Sequence, residues 1–317
     1  MEERRRKFTF CLSTGLLLLC LLVIVWGAFV RFSHSGDGCG ASWPLCDGSV
    51  VPNSSELPVW IEYTHRLSSG LFGLGVLFLW GFVLRFSKKG HPLRRFATGV
   101  LLFTISEALI GAGLVLRELV SDNDSFERAL WLIGHLLNTL VLLYFLVGCA
   151  LQARIGDREL PLFPELRHSV PLLCFFLLAT AGSIASLSNT LYPSSSLADG
   201  IVSDFSSGSP LLVRLRGFHP LLGVLFFSAV IYWWQKIYLR FPHLSERLLW
   251  LAGGNVMIGA FTLLSLSPIY AKLLHLLIAD LLWMQLVVGS LLLSVYSRPS
   301  ERAVRGSMPP AVPLQGV

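Results

Sequence analysis

Residues 36–48 read GDGCGASWPLCDG and residues 60–66 read WIEYTHR, and the chain is organised around these two stretches. The first is a polar loop that holds two cysteines among glycines and a tryptophan. In the second, Glu62 and His65 lie three residues apart, where the next apolar run begins. Thiols, an acid–base group and a metal-ligand type therefore meet at one boundary between a polar loop and an apolar segment.

The composition indicates an integral membrane protein. Of 317 residues, 54% are hydrophobic and only 14% are charged, whereas soluble domains carry about 25% charged residues. Repeated apolar runs of about 20 residues predict several membrane-spanning helices. The net charge of +6 comes from short basic loops, so it reports topology and does not indicate nucleic-acid binding. The apolar run at residues 8–30 is too long for a signal peptide and is interpreted as a retained span, and the absence of a transit segment favours a bacterial protein.

We predict an all-α membrane protein with eight transmembrane helices. Lysine and arginine cluster before the first span and after each even-numbered span, whereas the alternate loops are acidic or neutral. By the positive-inside rule, the N- and C-termini are cytoplasmic and the cysteine loop lies outside. The predicted spans are residues 8–31, 62–86, 97–117, 128–152, 168–189, 214–238, 246–267 and 269–295.

The sequence contains one internal repeat. Residues 107–112 (EALIGA) in the third span resemble residues 255–260 (NVMIGA) in the seventh, and the fourth and eighth spans both contain His-Leu-Leu followed later by glycine. Four spans per half give two pseudo-symmetric four-helix bundles in the same orientation. We assign the N-terminal half to residues 1–153, the C-terminal half to 154–296, and a disordered cytoplasmic tail to 297–317.

Each even-numbered span carries one histidine near its outer end, so four imidazoles lie at similar depth. A single such histidine is usually an interhelical hydrogen-bond partner, but four in a repeated pattern mark a site. Two histidines on two helices of a four-helix half suit a bis-histidine haem cage. Zinc competes, and it requires further ligands, of which Glu62 is one candidate in the first half. The repeat pairs His65 with His135 and His219 with His275.

The pattern GxGCx3WPxCxG around Cys39 and Cys46, followed by Glu62-Tyr63-x-His65-Arg66, resembles the haem A synthase family of bacteria. The resemblance extends to about residue 295. It implies oxidation of the C8 methyl of haem O to a formyl group by successive hydroxylation, with a bound haem b as electron carrier. It also implies a multi-pass protein of the bacterial inner membrane, and contact with the haem O synthase that farnesylates the substrate.

The resemblance implies a role for each histidine pair. His219 and His275 are the expected axial ligands of haem b, and His65 and His135 are the expected ligands of the substrate haem. Glu62 corresponds to the functional carboxylate of the family, which acts as a general base. From the residues alone, the preferred interpretation of Glu62 is an exposed acidic residue favoured by a helix N-terminus, and the resemblance shifts the preference to catalysis.

Several further residues are candidates for the site. Cys39 and Cys46 face an oxidising compartment and are expected to form a disulfide, for which a structural staple is favoured over a redox role. Glu107 lies within a span, where it is either a hydrogen-bonded acid or part of a proton path. Candidate contacts for haem propionates, with snorkelling as the alternative, are Arg66, Arg214 and Arg216.

The two halves differ in one respect that decides between functions. Neither the cysteine pair nor the Glu-x-x-His-Arg element recurs in the second half. This asymmetry predicts chemistry in the first half and electron transfer in the second. The alternative is a non-catalytic bis-histidine b-type cytochrome that transfers electrons in the membrane, and a haem carrier is a third possibility.

Overall fold

A computed structural model describes residues 3–156, 158–238 and 240–296, and these residues form ten helices without an extended strand. Eight segments of the described chain are long and apolar enough to cross a membrane, which confirms the predicted all-α membrane fold. The expected tail at 297–317 lies outside the described residues. The helices are α1 Glu3–Phe32, α2 Leu57–Phe86, α3 Pro92–Leu116, α4 Phe126–Ile155, α5 Leu166–Leu191, α6 Leu197–Phe205, α7 Leu211–Arg216, α8 Phe218–Tyr238, α9 Pro242–Leu264 and α10 Ile269–Tyr296.

The sixth span differs from the continuous helix that the sequence predicts. It consists of the short α7 and the longer α8, which are separated at Gly217. Pro220 explains the break, because proline has no N–H and its ring clashes with the carbonyl four residues earlier, here that of Arg216. The serine-rich loop before this span also contains α6, whose N-terminus is capped when the hydroxyl of Ser196 accepts a hydrogen bond from the N–H of Asp199.

The helices pack as two rings of four. In the first ring, α1 contacts α2, α2 contacts α3, α3 contacts α4, and α4 returns to α1. In the second ring, α5 contacts α8, α8 contacts α9, α9 contacts α10, and α10 returns to α5. The same order of contacts in both rings agrees with the internal repeat, while the half boundary near residue 153 and the cytoplasmic termini stay predictions.

The interface between the rings forms the centre of the molecule. It is made by α1 and α4 from the first ring and by α5 and α10 from the second. Trp283 on α10 is almost completely buried there and donates a hydrogen bond of 2.8 Å from its indole N–H to the carbonyl of Leu140 on α4. On the outer faces of the rings, large apolar side chains such as Leu22 and Leu74 are exposed, as expected for a surface that contacts lipid.

Both long connections lie at one end of the molecule, which we call the disulfide-loop end. There, His34 Nδ1 after α1 lies 2.9 Å from the carboxylate of Asp122 before α4. Tyr192 after α5 donates a hydrogen bond of 2.8 Å to Asp124. The hydrogen bond to this carboxylate raises the pKa of the Tyr192 hydroxyl.

Candidate functional site

The first histidine pair lies inside the first ring. His65 on α2 packs against Gly27 of α1, and His135 on α4 packs against Gly111 of α3. The two imidazoles are close enough to interact electrostatically. The helices α2 and α4, which lie opposite each other in the ring, therefore bring together two side chains that are 70 residues apart in the chain.

Glu107 holds the ring of His135. Its Oε1 lies 3.0 Å from His135 Nδ1 and also accepts a hydrogen bond from the hydroxyl of Thr139. Its Oε2 accepts a hydrogen bond from the amide of Asn138. A ligating histidine typically donates its second ring N–H to a carboxylate, which fixes the ring and raises its basicity. The sequence left the role of Glu107 open. The repeat aligns it with Asn255, and this difference between a carboxylate and an amide was the signal that could have singled it out.

The second histidine pair lies inside the second ring. The rings of His219 on α8 and His275 on α10 have centroids 6.0 Å apart and planes 79° apart. The Nδ1 atom of His219 lies 3.3 Å from the carbonyl oxygen of Leu178, whereas that of His275 is buried without a hydrogen-bond partner in the described structure. No carboxylate of the described residues holds either ring, in contrast to His135.

Each histidine ring packs against a glycine of a neighbouring helix, and at two of the four positions an added Cβ atom would clash with the imidazole. A Cβ atom added at Gly27 would lie 2.7 Å from the ring of His65, and one at Gly182 would lie 2.9 Å from that of His219. At Gly259 the distance to His275 would be 3.0 Å, and at Gly111 the distance to His135 would be 3.9 Å. Because glycine has no side chain, the imidazoles can lie close against these positions and present their other side to the interior of each four-helix assembly. The sequence repeat indicated two of them, and Gly27 and Gly182 were missed.

Glu62 and Arg66 connect the first pair to the disulfide loop. Glu62 is 3% exposed, and its Oε2 accepts a hydrogen bond of 2.8 Å from the backbone N–H of Cys39. Its Oε1 accepts from the guanidinium of Arg66, with 3.1 Å to Nε. Arg66 also donates to the carbonyls of Ser42 and Leu45 at 2.8 and 2.7 Å. This pair therefore holds the loop over the start of α2, one helical turn from His65.

The predicted disulfide between Cys39 and Cys46 is confirmed. Both half-cystines are buried, and they pack with Val59 at the start of α2. The bond closes the loop whose carbonyl oxygens accept hydrogen bonds from Arg66. The remaining cysteines of the described chain are not bonded, as expected for small apolar packing residues.

The three arginines proposed for propionates have different surroundings. The guanidinium of Arg66 is engaged by Glu62 and the loop carbonyls. That of Arg216 is buried and pairs with Asp204, and it donates further hydrogen bonds to Asn189 on α5 and to Ser194 before α6. Arg214 is exposed. Two cations that the sequence did not suggest as propionate contacts, Arg31 and Lys272, lie at the interface between the rings of helices.

The donor atoms fit a porphyrin iron better than a metal ion held by protein alone. Among the described residues, no three His, Cys, Asp or Glu side chains converge as a protein-only metal site requires. Each ring of helices instead offers two imidazoles. The 6.0 Å between the centroids of His219 and His275 leaves room for an iron with a nitrogen about 2 Å away on each side. The buried Nδ1 of His65 has no hydrogen-bond partner in the described structure, so the orientation of this ring is not fixed by the protein alone.

Two rings of membrane helices, each enclosing a pair of histidines, define a polytopic membrane protein of the haem-handling type. The sequence profile of the cytochrome oxidase assembly protein family matches residues 11–287. The chain belongs to this family, and the resemblance to haem A synthases is confirmed by the relatives.

Several relatives carry names from haem A biosynthesis. A protohaem IX farnesyltransferase of Thermus thermophilus is 36% identical over 301 residues, which are 92% of this chain and 49% of its own length. A haem A synthase of Symbiobacterium thermophilum is 41% identical over 97 residues, 31% of each chain. Another from Halalkalibacterium halodurans is 40% identical over 115 residues, 36% of this chain and 37% of its own. The chain thus spans about half the length of the Thermus relative.

Proposed function

We propose that this protein is a haem A synthase, which oxidises the C8 methyl of haem O to a formyl group by successive hydroxylation. The observation that carries the proposal is the contact of Glu62 with Cys39 and Arg66, one turn from His65. It equips the first histidine pair with a buried carboxylate and a closed loop, whereas among the described residues no carboxylate contacts the second pair and no disulfide closes a loop beside it.

The two pairs take different roles. His65 and His135 hold the substrate haem, and His219 and His275 are the axial ligands of a resident haem b. Haem b supplies one-electron transfer, and two imidazoles that no carboxylate of the described residues contacts suit a site that only exchanges electrons. The contact of Glu107 with His135 supports the assignment of the reaction to the first pair, because a carboxylate partner increases the basicity of an imidazole ligand.

Glu62 is the proposed proton acceptor. With water as the oxygen source, conversion of a methyl to a formyl group releases electrons as well as protons, and the electrons would pass through haem b to an external acceptor. A side chain within one helical turn of the histidine ligand can receive a proton at the edge of the porphyrin. Arg66 stabilises the carboxylate anion, which is the form that accepts a proton. The disulfide loop covers this group and keeps bulk water away from it.

The proposed haem A synthase function also implies a cellular location and a partner protein. We propose a multi-pass protein of the bacterial inner membrane, with the disulfide-loop end outside. Because the Thermus relative is named a protohaem IX farnesyltransferase and is about twice as long as the matched region, we propose that this chain works next to a farnesyltransferase that delivers haem O.

A non-catalytic b-type cytochrome is the second candidate. It is favoured by the similarity of the two pairs, each packed against glycines of neighbouring helices. A cytochrome that only transfers electrons needs neither Glu62 nor the closed loop, so this second candidate gives these features no role.

Analysis of the pigments in purified protein tests the proposal. The unaltered chain is expected to yield haem b together with haem O, a hydroxylated haem or haem A. His65→Ala is expected to lose the substrate-derived pigment and retain haem b, and His275→Ala to lose haem b. His243→Ala, at an exposed histidine, is the matched control. Two haem b per chain and no other pigment would support the cytochrome and contradict the synthase.

A further inference from the structure

Two cations face the same aromatic ring where the two rings of helices meet. The guanidinium carbon of Arg31 on α1 lies 4.7 Å from the ring centroid of Phe32, and the ammonium of Lys272 on α10 lies 4.2 Å from it. Both lie at the disulfide-loop end of the interface. Because both charges lie within 5 Å of one ring centroid, they are less than about 9 Å apart. Like charges at such a distance repel, and partial burial strengthens the repulsion.

No acidic side chain of the described residues neutralises this pair. Arg31 donates one hydrogen bond of 2.9 Å to the hydroxyl of Ser186, and its Nε is buried without a partner. Lys272 has the hydroxyl of Thr190 at 3.4 Å. Arg66 and Arg216, by contrast, each pair with a carboxylate. Hydroxyls cannot balance the charge, so the pair is suited to an external anion.

Arg31 lies one helical turn beyond Gly27, which packs against His65, so it borders the first histidine pair as well as the second. Its hydrogen-bond partner Ser186 on α5 and the neighbouring Lys272 on α10 both belong to the second ring of helices, and they direct the two cations toward the second histidine pair. Ser186, which binds Arg31, follows by four residues the glycine that packs against His219, Gly182. Lys272 precedes His275 by three residues on the same face of α10. One helical turn is about 5.4 Å, so the two cations lie at about that distance from the level of the imidazoles. The anionic groups of a haem are the two propionate carboxylates at one edge of the porphyrin.

We propose that Arg31 and Lys272 bind the propionate carboxylates of the haem held by His219 and His275. This inference rests on the proposed function, which assigns a haem to that pair. Arg31 belongs to the first ring of helices, so the haem site of the second ring is completed by a residue of the first. The propionate edge of this haem then points to the interface and to the disulfide-loop end.

A phosphate of a lipid headgroup has the same charge as a propionate and is the rival occupant. A haem whose propionates are esterified distinguishes the two. The ester has the same iron and ring but no carboxylate, so its affinity is independent of a carboxylate site. A lipid site, or a purely structural role of the cations, affects both porphyrins equally.

The experiment titrates the full-length protein in detergent with ferric haem and with haem dimethyl ester. It uses a His65→Ala, His135→Ala background, so that absorbance reports only the second pair. The Arg31→Gln, Lys272→Gln variant is expected to bind haem about tenfold or more weakly, because hydrogen bonds to charged groups are lost. Its affinity for the ester is expected to be unchanged.

Two controls keep the outcome interpretable. Arg31→Lys retains the charge and is expected to recover part of the haem affinity, and Lys89→Gln, at an exposed loop position, is expected to have no effect. If the Arg31→Gln, Lys272→Gln variant loses affinity equally for haem and for the ester, or loses none for haem, the propionate site is overturned. A bis-imidazole spectrum in the same samples would still support the haem site. Absence of that spectrum in the background protein with either porphyrin would overturn the haem site itself.

Discussion

The carboxylate of Glu62 accepts a hydrogen bond of 2.8 Å from the backbone N–H of Cys39, 23 residues earlier in the chain. One bond thus joins the disulfide loop to the helix that carries His65. The same carboxylate binds Arg66, which in turn holds two loop carbonyls. The candidate catalytic group is therefore also the anchor of the loop that covers it, and variants must separate the two roles.

Replacing Glu62 by glutamine separates them. Glutamine keeps an oxygen for the N–H of Cys39 but cannot take up a proton at neutral pH, so haem content should be retained while formyl formation falls by about a hundredfold or more. Chromatography of extracted pigments measures both. Glu62→Ala should show the same loss and also a less stable loop. Glu56→Gln, at an exposed position six residues earlier, is the matched control. Normal haem A output from Glu62→Gln would remove Glu62 from the mechanism.

The disulfide is expected to act as a staple. Replacing both Cys39 and Cys46 by serine should destabilise the closed loop by about 2 kcal/mol, the entropy expected for so short a loop. Hydrogen exchange of the loop amides should increase accordingly. Product formation should persist at low temperature, where the loop stays closed, and fall on warming. Complete loss at every temperature would instead assign a redox role to the thiols. Cys11→Ser, at an exposed free cysteine, is the control.

Glu107→Gln tests the support of His135. An amide cannot accept from Thr139 and His135 at one end and from Asn138 at the other, so one set of contacts is lost. Haem affinity at the first pair should fall about 10- to 100-fold, and the reduction potential there should rise because an anionic partner is gone. Spectroelectrochemistry should detect no change at the second pair.

The control for that variant is Glu127→Gln, which affects an exposed ion pair with Arg117 at the same end of the molecule. An unchanged potential in Glu107→Gln would mean that the carboxylate only fills space beside His135.

Two glycines of the first ring, one on α1 and one on α3, form a matched pair for the packing of the first site. Gly27→Ala should displace the ring of His65, because the new methyl group would lie 2.7 Å from it. Gly111→Ala should be tolerated, because its methyl group would lie 3.9 Å from His135. Both changes favour the helix by about 1 kcal/mol, so helix propensity predicts no loss of stability in either. Haem stoichiometry of the purified variants measures the difference, and equal occupancy would contradict the role of Gly27.

The sequence by itself determined the number of spans, the two histidines per half and the disulfide. These features are local: a span is a run of apolar residues, and the cysteines close a short loop. The shared motif also placed Glu62 next to His65, because a spacing of three residues fixes their relation on a helix. The break in the sixth span could have been predicted from Pro220, which follows His219 directly.

Only the tertiary structure decided which side chains meet across helices. The contact of Glu107 with His135, the grip of Arg66 on the disulfide loop and the convergence of Arg31 with Lys272 each join residues on different elements. Such contacts depend on how each helix is rotated about its axis and on how closely its neighbours approach. Apolar runs in a membrane span carry little information about that rotation, because lipid and protein interior are both apolar, and the packing of small residues such as Gly27 sets it instead.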